Sequence, residues 1–165
     1  MGWAYLILVW KYFKSLKNKI SKQYNLMYEI VPGLYLASFN DVRQRGSEAS
    51  EYFIVNCSRD LPMLSPNGVR LAIDDAPVEN ERMLGFFPRV TQLIRRKLRE
   101  GDEVIVHCWA GQQRSAAVVA AYLMRCAHFS SKDHAMRFIR RQKSDAFSWG
   151  ATFEPALDAW ETHLR

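Results

Sequence analysis

Cysteine is scarce in this chain of 165 residues, and the three present, Cys57, Cys108 and Cys126, make an odd number. No secretory leader precedes them, so no disulfide framework is expected, and a reducing, cytoplasmic setting is. The apolar run Trp3 to Trp10 (WAYLILVW) falls far short of the roughly 20 residues a membrane-spanning helix needs. Its lysines follow the run and no small-residue cleavage site comes after it, unlike a signal peptide. Gly2 lacks the Ser or Thr at position 6 that myristoylation prefers, since that residue is Leu6. Metal-ligand spacing, internal repeats and low-complexity tracts are all absent. So are acidic residues before Glu29, while Lys11, Lys14, Lys17, Lys19 and Lys22 supply five of the net charge of +6. The remainder is near neutral, which speaks against a broad nucleic-acid-binding face.

With 48% hydrophobic and 13% aromatic residues, the chain can bury the core of one domain. The stretch that organises it is Glu103 to Met124, EVIVHCWAGQQRSAAVVAAYLM. Val104, Ile105 and Val106 are β-branched and apolar, as in a buried strand. Cys108 to Arg114 is a loop containing Gly111, and Ser115 is a plausible N-cap for the apolar helix that follows. A strand, a loop and a helix start direct backbone N–H groups and a helix dipole at one point, where an anion is welcome. Cys108 would face that positive end with Arg114 nearby, which favours its nucleophilic thiolate form. The guanidinium fork of Arg114 can grip two phosphate oxygens. A protease cysteine would want a histidine base and an oxyanion hole instead.

His107-Cys108-x-x-Gly111-x-x-Arg114-Ser115 resembles the phosphate-binding loop of the cysteine-dependent protein tyrosine phosphatases, and AAVVAAYLM is similar to their dual-specificity branch. The resemblance implies an α/β fold, a central mixed sheet flanked by helices, acting on phosphoproteins without metal or other cofactor. It assigns attack on phosphorus to Cys108, and the grip on the phosphoryl oxygens to the amides of Trp109, Ala110, Gly111, Gln112, Gln113 and Arg114 with the Arg114 guanidinium. Ser115 corresponds to the family hydroxyl that stabilises the departing thiolate. The family also places a general-acid aspartate roughly thirty residues before the cysteine. Asp75, 33 residues upstream, takes that place, with Asp74 as runner-up. Sister branches acting on phosphoinositides or RNA 5′ ends offer an alternative, although Gln112 and Gln113 stand where inositide enzymes tend to carry lysines. A catalytically silent phospho-binding module is the other alternative, disfavoured by retention of Cys108, Arg114 and an upstream aspartate. Whether Cys57 pairs with Cys108 is open.

Along the chain, Tyr28 to Ser38 reads as two strands about a Pro32-Gly33 turn, similar to the family's opening, with Ala37 where glycine is usual. Asp41 to Arg45 suggests a short helix, and Tyr52 to Val55 a strand ending in Asn56-Cys57-Ser58. By resemblance Asn56 braces the phosphate loop; by residue type alone it is a turn former. Val69, Leu71 and Ile73 alternate as in a half-buried strand leading to Asp74 and Asp75. Asn80 to Glu100 is a long helix with Met83, Phe87, Val90, Ile94 and Leu98 on one face; Arg95, Arg96 and Arg99 face outward, Pro88 should kink it and Gly101 end it. Ser130 or Ser131 caps a helix through Met136, Ile139 and Arg140. Phe153, Leu157 and Trp160 mark a closing helix, preceded by Ser148-Trp149 where the family has Pro-Asn. At the start, Leu6, Trp10, Phe13, Leu16 and Ile20 share one helical face and lysines another. Residues 1–24 thus form an extra N-terminal helix ahead of a catalytic domain over 25–165. That helix could cover its own domain or lie on an anionic membrane surface as a peripheral contact. Docking on a second copy is the leading expectation, which makes the chain a homodimer, loosely like the small poxvirus enzymes that exchange such a helix.

Overall fold

The computed structural model describes residues 27–165. The expected N-terminal helix, and the dimer and membrane readings tied to it, lie outside those residues. Strands β1 (Tyr28–Val31) and β2 (Leu34–Ser38) pair antiparallel about a turn in which Gly33 takes a left-handed φ of 80°. Ser38 then caps α1 (Phe39–Gln44) through a capping box with Asp41. The helix begins at Phe39, two residues earlier than the expected Asp41. A 3-10 segment, Gly46–Glu51, leads to β3 (Phe53–Asn56), whose residues are all buried.

Strand β4 (Gly68–Arg70) is shorter than the alternation of Val69, Leu71 and Ile73 suggests. Leu71 still bonds to Asn56, but Ile73 turns back to bond Leu71 O, so the ladder stops while both side chains stay buried. After a 3-10 turn, Pro77–Glu79, helix α2 (Asn80–Glu100) runs to Gly101, which has the left-handed φ of 91° expected of a helix terminator. Pro88 does not break it. In the turn after it, the Thr91 hydroxyl donates to Phe87 O at 2.7 Å and Arg125 donates to Pro88 O at 2.7 Å; the carbonyl that the missing proline N–H leaves without a helical donor is that of Leu84, one turn earlier. Strand β5 (Val104–Cys108), α3 (Arg114–Cys126), α4 (Lys132–Gln142) and α5 (Glu154–Leu164) complete the domain. Ser131, one of the two serines proposed from sequence, is the cap of α4.

The sheet order β1-β2-β5-β3-β4 puts β5 in the centre, parallel to β2 and β3, in a mixed sheet flanked by helices as expected. Alternation along β5 sorts its side chains between the two faces. Val104 and Val106 join the larger core beneath α2, α3, α4 and α5, and Ile105 joins a smaller one with Ala37, Val42 and Ile54. Register aligns Ser38 with Cys108 and Asn56 with His107, so the carboxyl ends of three parallel strands stop at one edge. That edge is where an open α/β sheet offers its crevice. No helix among the described residues is long and apolar enough to cross a membrane.

Candidate active site

The loop between β5 and α3 is built from short-range constraints. Gly111 holds a left-handed φ of 69°, and a Cβ there would lie 2.7 Å from Ala37 O and 2.8 Å from Ala37 C. The loop therefore lies directly on the end of β2, and Phe39 N donates to Trp109 O at 3.0 Å across the same junction. The helix starts at Arg114 with Gln113 in the cap position, where no side chain caps it. Ser115 is thus not the N-cap. Its hydroxyl instead lies 3.1 Å from Cys108 Sγ, and both groups are buried. The first-turn amides of α3 have no carbonyl one turn earlier in the helix, so the positive end of its dipole lies at the loop that carries this sulfur.

Arg114 reaches back beneath the Asp74-Asp75 segment. One terminal nitrogen donates to Ile73 O at 3.3 Å, while Nε is buried without a hydrogen-bond partner, 3.7 Å from a carboxylate oxygen of Asp75. A buried guanidinium N–H left unpaired is costly unless an anion completes it. The two aspartates part company here. Asp74 is gripped by Arg59, whose Nε stands 3.0 and 2.9 Å from its two oxygens, and the same guanidinium reaches Glu79 at 3.3 Å. Asp75 remains beside Arg114. Arg59 went unnoticed in the sequence; only its place directly after Asn56-Cys57-Ser58 hinted at it.

Two flanking groups are buried and uncharged. Burial, above all, pushes His107 down to about 4, so the imidazole is neutral at physiological pH. Burial first, and the neighbouring Cys108 second, push the Cys57 thiol well up. Cys57 and Cys108 are both free thiols. Asn56 does not brace the phosphate loop: its amide donates to Leu61 O at 3.1 Å and Pro62 O at 3.2 Å, and its oxygen accepts from Ser58 N. It organises its own turn.

The side chains of Gln112 and Gln113 point away from Cys108 and secure the segment before α5. Gln112 donates to Asp145 at 2.8 Å, and its carbonyl accepts from Phe147 N at 2.9 Å. Gln113 donates to both Ser148 O and Gly150 O and accepts from Thr152 N. With that segment secured, Cys108, Ser115, Arg114 and Asp75 bring a nucleophile, a hydroxyl, a cation and a carboxylate to one edge. Asp74 is left outside it.

Known proteins resemble this chain over most of its length. A family model described as the dual specificity phosphatase catalytic domain matches residues 34–163. The 123R protein of Invertebrate iridescent virus 6, named as a candidate tyrosine phosphatase, is 35% identical over 122 residues, 72% of this chain and 81% of that protein. Mouse dual specificity protein phosphatase 22 is 30% identical over 141 residues, covering 83% of this chain and 74% of its own length. The crystal structure of human DUSP28 superimposes with a TM-score of 0.74 at 26% identity, over 84% of this chain and 95% of that one. A match that spans nearly all the described residues, and includes the Cys108 loop, places the chain in the dual specificity phosphatase family.

Proposed function

We propose that this cysteine-based protein phosphatase works through Cys108, Arg114, Asp75 and Ser115. The carrying observation is the Cys108 Sγ–Ser115 Oγ pair, 3.1 Å apart at the head of a buried helix, beside the unpaired Nε of Arg114. A phosphoprotein's phosphoryl group enters with its oxygens on the loop amides of Trp109, Ala110, Gly111, Gln112, Gln113 and Arg114 and on the Arg114 guanidinium. The Cys108 thiolate attacks phosphorus, forming an S–P bond as the P–O bond to the tyrosine, serine or threonine side chain breaks. Asp75 gives its proton to the departing oxygen. As carboxylate it then takes a proton from water. The resulting hydroxide attacks phosphorus, the S–P bond breaks, and inorganic phosphate leaves. The Ser115 hydroxyl donates to the released thiolate, and the neutral His107 plays no acid–base part.

Cys108→Ser tests the covalent step. A hydroxyl stays protonated at neutral pH and has no base beside it, so turnover is abolished. Phosphate or vanadate still binds, because the amides and Arg114 remain. Turnover within about tenfold of wild type would overturn the covalent mechanism, since removal of a nucleophile costs far more than that.

The division into residues 1–24 and a catalytic domain over 25–165, with the first segment joining two copies, is proposed from sequence. It rests on the apolar face of Leu6, Trp10, Phe13 and Leu16 ahead of a family match that begins only at residue 34.

A further inference from the structure

Four large apolar side chains are exposed among the described residues, and three of them lie on segments that carry or are bonded to the phosphate loop or adjoin Asp75: Val78 at 86%, Trp109 at 62% and Trp149 at 95% exposure. They come from three separate segments. Val78 lies in the 3-10 turn Pro77–Glu79 that comes just after Asp74 and Asp75, and Trp109 follows Cys108 in the phosphate loop. Trp149 lies between Ser148 and Gly150, whose carbonyls both accept from Gln113. Sequence distance separates them; hydrogen bonding and packing draw the segments to one edge of the sheet.

Trp149 is the residue that folding alone does not account for. Its backbone is left-handed, with φ 65°, a conformation disfavoured for a residue carrying a bulky Cβ substituent. Phe147 shares that conformation at φ 60°, but its ring is buried and the Arg140 guanidinium lies 5.5 Å over it, so packing explains it. Trp149 has no such compensation among the described residues. A strained backbone that presents a solvent-exposed indole beside a phosphate loop points to something outside the chain that the indole meets. Trp109 is set in a similar way, with one face stacked on Phe39 at 6.3 Å and 12° and the rest open.

We propose that Trp149, Val78 and Trp109 form an apolar rim that selects phosphoprotein segments carrying a bulky apolar residue next to the phosphorylated one. This rests on the phosphatase reading given above. With the phosphoryl group fixed on the loop, the Cα of the adjoining residue lies about 3.8 Å from that of the phosphorylated one, which keeps its side chain at the mouth of the site. An apolar flank removes indole and isopropyl surface from water, whereas a glycine flank leaves that surface wet. Tryptophan suits such a contact because it brings a large, rigid area with little side-chain entropy to lose.

Phosphotyrosine peptides that differ only in having leucine or glycine beside the phosphotyrosine test the rim, with p-nitrophenyl phosphate as the substrate that has no flank. Wild type should prefer the leucine peptides by about tenfold in kcat/KM, mostly through KM. Trp149→Gly should erase most of that preference and leave p-nitrophenyl phosphate within about twofold of wild type. Glycine is at home at a left-handed φ, so the thermal midpoint should not fall appreciably and loop collapse cannot explain the loss. Val78→Ser should weaken the preference in part. Equal kcat/KM for leucine and glycine peptides in wild type would overturn the proposal, as would a Trp149→Gly protein slowed alike on peptides and on p-nitrophenyl phosphate. Failure of wild type to hydrolyse p-nitrophenyl phosphate would instead overturn the catalytic reading. Cys108→Ser protein would then decide the rim by its binding of the two peptides, with equal affinity counting against it.

Discussion

Replacing Asp75 and Asp74 in turn by asparagine separates two adjacent carboxylates that the sequence cannot distinguish. In Asp75→Asn the amide keeps the shape of the side chain but has no acidic proton to give a leaving oxygen. A phosphotyrosine peptide leaves as a poor leaving group, so the full contribution of general acid catalysis should vanish, about 10²–10⁴-fold in kcat. That is about 3–5 kcal/mol of barrier. An aryl phosphate with a low-pKa leaving group needs little protonation, and the loss should shrink accordingly. Asp74 has a different job. Its partner Arg59 is 45% exposed and Asp74 itself 53%, and an exposed, solvent-screened pair of that kind contributes little. Arg59 also holds Glu79, so the segment stays anchored when Asp74 is changed. Asp74→Asn should therefore cost less than about fivefold on either substrate. The assay is kcat across a series of aryl phosphates of rising leaving-group pKa. Only Asp75→Asn should steepen the dependence. A steep dependence in Asp74→Asn, with Asp75→Asn behaving as wild type, would refute the assignment.

Gly111→Ala should abolish phosphate or vanadate binding and lower the thermal midpoint. The new methyl would enter the 2.7 Å gap to Ala37 O and also penalise the left-handed backbone; an unchanged midpoint with wild-type binding would show that the loop can move off β2. Folding pushes His107 down to about 4 from the ordinary 6.5. The unfolded chain then binds the extra proton between those values, so stability is retained above pH 6.5 and lost as pH falls towards 4. The loss should be about 3 kcal/mol from this group. An NMR titration of the His107 imidazole in the folded protein checks this, and a midpoint near the ordinary 6.5 would contradict it. Deleting residues 1–20 should convert a homodimer into a monomer with near-normal activity on p-nitrophenyl phosphate. Sedimentation of the full-length protein as a monomer without lipid would refute the dimer, and binding to anionic vesicles would favour the membrane instead.

What the sequence disclosed was what is local. A β-branched strand, Gly111, Arg114 and an alanine-rich helix specify the phosphate loop within one short segment. The apolar spacing from Met83 to Leu98, closed by Gly101, defined α2 from Asn80 to Glu100. Where residue type allows several partners and folding chooses among them, the reading faltered. Ser115 looked like a cap because serine caps helices, but Cys108 claims its hydroxyl. Asn56 serves its own turn, at Leu61 and Pro62, rather than the loop beside it. Pro88, expected to kink α2, does not end it, and Thr91 and, from another helix, Arg125 add donors to Phe87 O and Pro88 O beside it. Gln112 and Gln113 were read for their backbone amides and for the charge their side chains lack; the side-chain bonds they make to residues 145–152 depend on tertiary contact.

Helix α3 is buried at every position from Arg114 to Met124 and packs against α2, α4 and α5 as well as β5. Its small residues, Ala116, Ala117, Ala120 and Ala121, allow that close approach. Such a helix has no route to local fraying, and its amides should exchange hydrogen only when the whole domain opens. The phosphate loop is strung between this helix and the central strand, so both its ends belong to that same cooperative unit. Active-site geometry and global folding then share one equilibrium. An oxyanion seated on the loop can hold off unfolding of the entire domain by mass action, in proportion to the logarithm of its concentration over its dissociation constant.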